Sequence, residues 1–543
     1  MRTRVVLVVV AVVAMVGLAG CTLSAFQDAT STTTAGQSAP APDEGGTLAD
    51  PESDVQGWEN GVWYNESLAV TPADGLNETE LAMVVNRSMA RVEHVRSVEF
   101  QRDVDVSILS REAYRERQGG GSGGSDAARV QEATRLEALF LVGETADAGE
   151  AQAATRSASV QGFYSPGEDE ITIVAPTATP SVDEVTLAHE LVHAYQFRGN
   201  LDVRFPRSPT RDGQRALVAL IEGDANLVDR LVGERCEGAW SCVGHESATT
   251  TASATTTEDA RDDSAAPARP DMGLYLLSYF PYAEGERFVA AAKARGGWAA
   301  VNALYSSPPA SSEQVIHGGD DEPVAVSVPD RSTGEWSRVG DGVVVGEADV
   351  ATMFAATLYD DVEGSVVTRE QFLTESGPVP ITYGLPPSAG WAGDSLYAYE
   401  DEDGDRGYVW RLRFDDDAEA SEFAGAYRDL LAYRGAERES DGVFAVPDGP
   451  YADAFALEVR GSRVTVVNAP TVDDLDRVHE PAGRLSTPRV HPWSERATPS
   501  AVASTVAPSL AVAPWSTAVG GNATTTRPVA SPAAASLDAR ATP

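Results

Sequence analysis

Apolar residues recur three and four apart in several separate stretches, the spacing of one helix face. The pattern is strongest over residues 78–94 and recurs over 128–142. It returns at 182–197, where Val185, Ala188, Val192 and Tyr195 share a face with Leu191 alongside. Leu217, Leu220, Leu227, Val228 and Leu231 form another stripe, and residues 272–294 carry one more. Ser181 and Glu184 have capping-box spacing and predict where the 182–197 helix starts. Between these stretches, residues 162–174 read as a hairpin, either structural or an edge on which an extended chain lies.

The second half has a different texture. Residues 396–399 and 408–414 predict paired strands, and 444–446, 454–459 and 464–468 predict more. Between them, Phe423, Ala424, Tyr427 and Leu430 mark a helix over 419–432. The fold class is therefore α+β, with a mainly helical first part at 57–322 and a smaller α+β module at 325–483. Three stretches lack periodicity and predict no packed structure: a tether at 22–56, an insert at 246–270 and a tail at 484–543. Residues 118–125 are Gly-rich and predict a loop.

Composition changes the picture. Asp and Glu total 82 against 41 Lys and Arg, a formal net charge of −41, and Lys293 is the sole lysine. Such a surface repels itself unless concentrated salt shortens the Debye length to ~3 Å. The acids are spread along the chain, which speaks against one basic partner, and the charge disfavours nucleic acid. The start reads as an export signal: Met1 to Arg4 is basic, residues 5–20 are apolar, and Leu18-Ala19-Gly20-Cys21 resembles a lipobox. Residues 1–21 then form a signal peptide cleaved before Cys21, whose sulfur takes a lipid that holds the chain to the outer face of the cell membrane. The alternative is an uncleaved anchor, although the apolar run is short for a spanning helix. Cys236 and Cys242 are close enough in sequence for an extracellular disulfide; the alternative is a second metal site with His245. Asn65, Asn77, Asn86 and Asn522 begin glycosylation sequons.

The candidate chemistry lies in His189-Glu190-Leu191-Val192-His193 and in Glu222, 29 residues further on. On a helix, His189 and His193 stand one turn apart on one face and can reach one ion. Zinc performs hydrolysis with three protein ligands and one open position, so Glu222 is the candidate third ligand. Glu190, rotated away from the imidazoles, is a candidate base for a metal-bound water. Tyr195, Tyr282 and His317 are possible accessory groups.

These residues, within Thr186 to Gln196 and Glu222-Gly223-Asp224-Ala225, resemble the gluzincin branch of zinc metallopeptidases. The resemblance implies a zincin-like domain at 57–322 that hydrolyses peptides or proteins. It implies Zn2+ on His189, His193 and Glu222, with Glu190 as base. The chain is also similar to haloarchaeal surface lipoproteins through residues 57–64, Gly297-Trp298, 308–317 and 390–394. One departure stands out. Where many gluzincins place an acid four residues after the third ligand, this chain has Asn226, and Asp224 or Asp229 is left to support the first histidine. The rival expectation is a non-catalytic surface binding or structural lipoprotein stabilised by zinc.

Overall fold

The computed structural model describes residues 48–481 except 72–73, 119–124, 176–181, 199–200, 202–207, 246–270, 361 and 375–378. The expected signal peptide with Cys21, most of the tether, the insert, the tail and Asn522 lie outside the described residues. The fold mixes helices and strands, as the two periodicities predict.

The chain enters through β1 (Trp58–Glu59) and β2 (Val62–Trp63), joined by Asn60-Gly61. Both turn residues have positive φ, 50° and 89°, the conformation that Asn-Gly adopts in a tight hairpin. Asn77 then caps α1 (Glu78–Arg96) in a reciprocal box with Glu80. A three-stranded sheet follows, built from β3 (Asp105–Ser110), β4 (Gly162–Ser165) and β5 (Glu170–Ala175) in the order β3-β5-β4. The expected hairpin is β4–β5, and the parallel pairing of β3 with β5 joins strands that are distant in sequence. Helices α2 (Arg111–Gln118), α3 (Asp126–Ala138) and α4 (Ala148–Ser159) lie between β3 and β4.

Three helices then form the centre: α5 (Glu184–Phe197), α6 (Arg211–Cys236) and α7 (Met272–Ser306), followed by the short α8 (Ser312–His317). The cap of α5 is Asp183, which accepts from Val185 N and Thr186 N; Ser181, expected to form a capping box with Glu184, lies outside the described residues. Glu184 is instead fully buried, bonded to Arg87 at 2.6 Å and to Arg91 at 3.0 Å. Two arginines of α1 thereby hold the start of α5.

α6 and α7 cross at glycine. A Cβ on Gly285 would stand 2.1 Å from Ala219 O, and one on Gly223 would stand 2.2 Å from Gly285. Pro281 inside α7 cannot donate to Leu277 O. Arg215 of α6 supplies that missing bond at 2.6 Å. α7 breaks at Gly296 and Gly297, close to the predicted end of its stripe. Cys236 and Cys242 are disulfide-bonded, with Cα atoms 5.5 Å apart.

The second half is a seven-stranded antiparallel sheet. Its strands are β6 (Ser337–Val343), β7 (Trp391–Glu400), β8 (Arg406–Phe414), β9 (Glu437–Ser440), β10 (Val443–Ala445), β11 (Ala454–Arg460) and β12 (Arg463–Ala469), in the order β6-β7-β8-β12-β11-β10-β9. α9 (Glu347–Ala356), α10 (Arg369–Phe372) and α11 (Asp417–Tyr433) contribute to one core with this sheet, and α12 (Val472–Val478) follows β12. Phe423 of α11 packs on Trp410 and Phe414, and Tyr427 stacks on Phe423. The same core takes Phe140, whose ring stacks on Phe455 and lies near Tyr451. Packing therefore crosses the compositional division near residue 325. No described helix is long and apolar enough to cross a membrane.

Candidate metal centre

α5 is buried around most of its circumference, so its apolar residues meet α1, α6 and the small sheet at once. His189 and His193 leave this helix one turn apart and face Glu222 on α6. His189 Nε2 and His193 Nε2 are 3.1 Å apart, and Glu222 Oε2 is 3.3 Å from each. Ligands ~2.0–2.1 Å from a tetrahedral zinc ion stand about 3.3 Å from one another. The three atoms lie close together, and the group could hold a metal ion.

The imidazoles are aimed by their other nitrogens. His189 Nδ1 donates to Asp229 at 3.0 Å, and His193 Nδ1 donates to the Gln196 carbonyl oxygen at 2.9 Å. Each bond turns an Nε2 lone pair toward the triangle. Asp229, not Asp224, takes the supporting position. Asp224 is bound to Arg96 at 2.8 Å and accepts from Tyr305 at 2.8 Å, while Asn226 donates to Tyr282 O. Gln196 Nε2 donates to Tyr305 Oη at 2.8 Å, so a buried chain runs from His193 through Gln196, Tyr305 and Asp224 to Arg96. Gln196 stands one turn beyond His193, a readable signal, whereas nothing near Arg96 or Tyr305 in sequence announces their part.

Charge accumulates around the triangle. Burial pulls both imidazoles down, but Asp229 and Glu222 at His189, and Glu222 at His193, outweigh it and raise their proton affinity. Burial pushes Glu222 up, yet the two imidazoles hold it well below the usual carboxylate range. A cation at this position would replace protons that the carboxylates otherwise attract. Glu190 is 5 % exposed, and its Oε2 has no hydrogen-bond partner. Burial first, then Glu222 and Asp229, raise its proton affinity against the lowering effect of the imidazoles. Its neighbour is Gly162 at the start of edge strand β4, where a Cβ would stand 2.9 Å from Glu190 Oε1.

The accessory candidates separate. Tyr282 lies at the centre: its ring is 18° from parallel with His189 at 6.3 Å, and its hydroxyl reaches Glu222. The Glu222 charge and burial push that hydroxyl well above its ordinary value. Tyr195 packs edge-on against Phe100 and lines a surface groove with Ser97 and Glu99. His317 hydrogen-bonds Glu347 at 3.0 Å, beside α9. The structure thus brings Tyr282 to the triangle and gives Tyr195 and His317 other partners. Of the sequons, Asn77 is engaged in capping α1, Asn86 lies within α1 with its Ser88 buried, and Asn65 is half-buried.

Residues 337–479 match the model of one protein family, described as a domain of unknown function (DUF8575). The match spans the seven-stranded sheet and leaves the triangle outside it. No curated protein and no solved structure gives a significant match to the chain.

Proposed function

We propose that this chain is a zinc-dependent hydrolase of the gluzincin type, with a zincin-like first part that cleaves peptide bonds. The observation that carries the reading is the triangle of His189, His193 and Glu222, with Glu190 buried beside it. Two imidazoles and a carboxylate suit zinc and leave a fourth position for water. Bound there, zinc would acidify that water and polarise the scissile carbonyl.

The chain's own groups do the rest. Glu190 would accept a proton at its free Oε2 and return it to the leaving amine; burial raises its proton affinity. Asp229 and Gln196 fix both imidazole tautomers. The Tyr282 hydroxyl would donate to the carbonyl oxygen as charge develops there. β4 pairs with β5 on one side only, so its free edge can receive an extended peptide as an added strand. Gly162 keeps that strand close without displacing Glu190. In this reading the enzyme works outside the cell, tethered to the membrane by a lipid on Cys21. A purely stabilising zinc site has no need of a base, and the unpartnered Glu190 oxygen favours hydrolysis over that role.

The test uses the full chain, a broad peptide library and concentrated salt. Glu190→Gln is expected to keep its metal and lose cleavage by ~100-fold or more. His193→Ala is expected to lose the metal, read by elemental analysis. Cleavage retained by Glu190→Gln excludes the mechanism. Zinc at full occupancy without any cleavage by the wild-type chain assigns the site a structural role.

A further inference from the structure

α7 delivers Tyr282 to the metal centre from directly behind a weak point. Pro281 has no N–H, so the turn that carries Tyr282 lacks its bond to Leu277 O and is weaker than the rest of the helix. Groups from outside α7 take over, and most trace back to the second half of the chain. Arg215, which donates to Leu277 O, is ion-paired at 2.9 Å with Asp349 of α9. Tyr383 Oη donates to Leu276 O at 2.5 Å, and its ring meets Phe280 edge-on at 5.2 Å. Beyond Tyr282, Glu284 accepts from Tyr383 N at 2.8 Å. Arg287 donates to Ile381 O at 2.6 Å and to Val379 O, and it pairs with Glu284 at 2.9 Å. Tyr383 is 1 % exposed and Glu284 3 %, so these bonds are shielded from water, where they are stronger.

Tyr282 is thus bracketed. The carbonyls of Leu276 and Leu277 before it, and the side chains of Glu284 and Arg287 after it, are held directly or through Arg215. What holds them is Asp349 and residues 379–383, all inside the 337–479 family match. Tyr282 itself reaches His189 and Glu222. We propose that the second half of the chain serves the metal centre as a clamp on α7. Tyr383, Glu284 and Arg287 are positioning residues that set where the Tyr282 hydroxyl stands against Glu222. This role rests on the reading of the triangle as a metal centre, and it gives the matched domain a task there. The competing account is that α6 alone places the turn, since Asn226 donates to Tyr282 O.

The test measures zinc affinity of the full chain by chelator competition, and backbone hydrogen exchange of the metal-free chain by mass spectrometry. Tyr282→Phe is expected to weaken zinc ~10-fold, because Glu222 loses a hydrogen bond. Arg287→Met and Tyr383→Phe are expected to weaken it several-fold, with faster exchange over 276–287 and not over α5. Added to Tyr282→Phe, either should cost little more, since all three act on one contact. Unchanged affinity in both variants overturns the clamp and leaves the placing of Tyr282 to α6. Losses that add in full to that of Tyr282→Phe overturn it too, because the second half then steadies the fold without acting through Tyr282. Should Arg287→Met not fold, Tyr383→Phe decides, since it keeps the ring and gives up only the hydroxyl. A wild-type chain that takes up no zinc removes the metal-centre reading. Exchange then decides separately: faster exchange confined to 276–287 keeps the clamp, and unchanged exchange ends it.

Discussion

Asp229 decides which nitrogen of His189 faces the triangle. A carboxylate only accepts, so the proton must sit on Nδ1 and the lone pair on Nε2. Asp229→Ala removes that constraint and is expected to weaken metal binding ~10–100-fold, measured by competition with a chromophoric chelator. Unchanged affinity would mean that helix packing alone orients the ring. Gly162 acts on the other side of the site. A valine there would press on Glu190, whose Oε1 is already 2.9 Å from the position of a Cβ. Gly162→Val is expected to keep full metal content and lose most hydrolysis; an active variant would show that Glu190 tolerates displacement. Glu190 and Glu222 are both acids on central helices, and what separates their roles is the direction in which each helix presents them.

At the scale of elements, the centre depends on α6 approaching α7. Gly285 permits backbone contact with Ala219 O, and α7 delivers Tyr282 from one turn earlier. Gly285→Ala must force the helices apart, because a Cβ 2.1 Å from a carbonyl oxygen has no rotamer to escape into. A loss of about 1–3 kcal/mol is expected from overpacking, read from denaturant midpoints. No measurable loss would place the close approach outside the stabilising contacts. Element type was legible from periodicity because its cause is local. Four of the five expected strands of the second half and the helix at 419–432 appear within two residues of their expected limits, β7 starts five residues before its expected start, and β6 and β9 were not expected. The start of α5 was misread for a reason of the opposite kind. Glu184 has capping spacing, but two arginines about ninety residues upstream outbid the backbone for its carboxylate.

Across the whole molecule, burial leaves several carboxyls with raised proton affinity. Glu59 is pushed up to about 9, Asp212 to about 8, and Glu93 and Glu286 to about 7, with burial the leading cause in each. The folded chain therefore keeps protons that the unfolded chain releases above its ordinary value of 4.5 or 3.8. Stability from these groups is fully present below the unfolded values and is lost as pH climbs through the folded ones. The expected result is a midpoint that falls steadily from pH 5 to pH 9. Each proton contributes a slope of about 1.4 kcal/mol per pH unit. Glu59→Gln should flatten the curve, and an unaltered slope would show that Glu59 is ionised in the folded state. This decline adds to the self-repulsion of a chain with net charge −41.

Spacing alone was enough to nominate His189, Glu190 and His193, since one helical turn brings positions four apart onto one face whatever surrounds them. It also nominated the Cys236–Cys242 bridge, with a metal site as the alternative, and five of the seven strands of the second half. Packing settled the remainder. Glu222 stands beside the histidines because two helices cross at glycine, and Asp229 was chosen over Asp224 because Arg96 and Tyr305 claim the latter. Tyr195 and His317 turned to other partners, β3 found β5, and Glu137 reached Asp453 across more than three hundred residues of chain. Such contacts depend on which surfaces the assembled core brings together, and no local pattern carries that information.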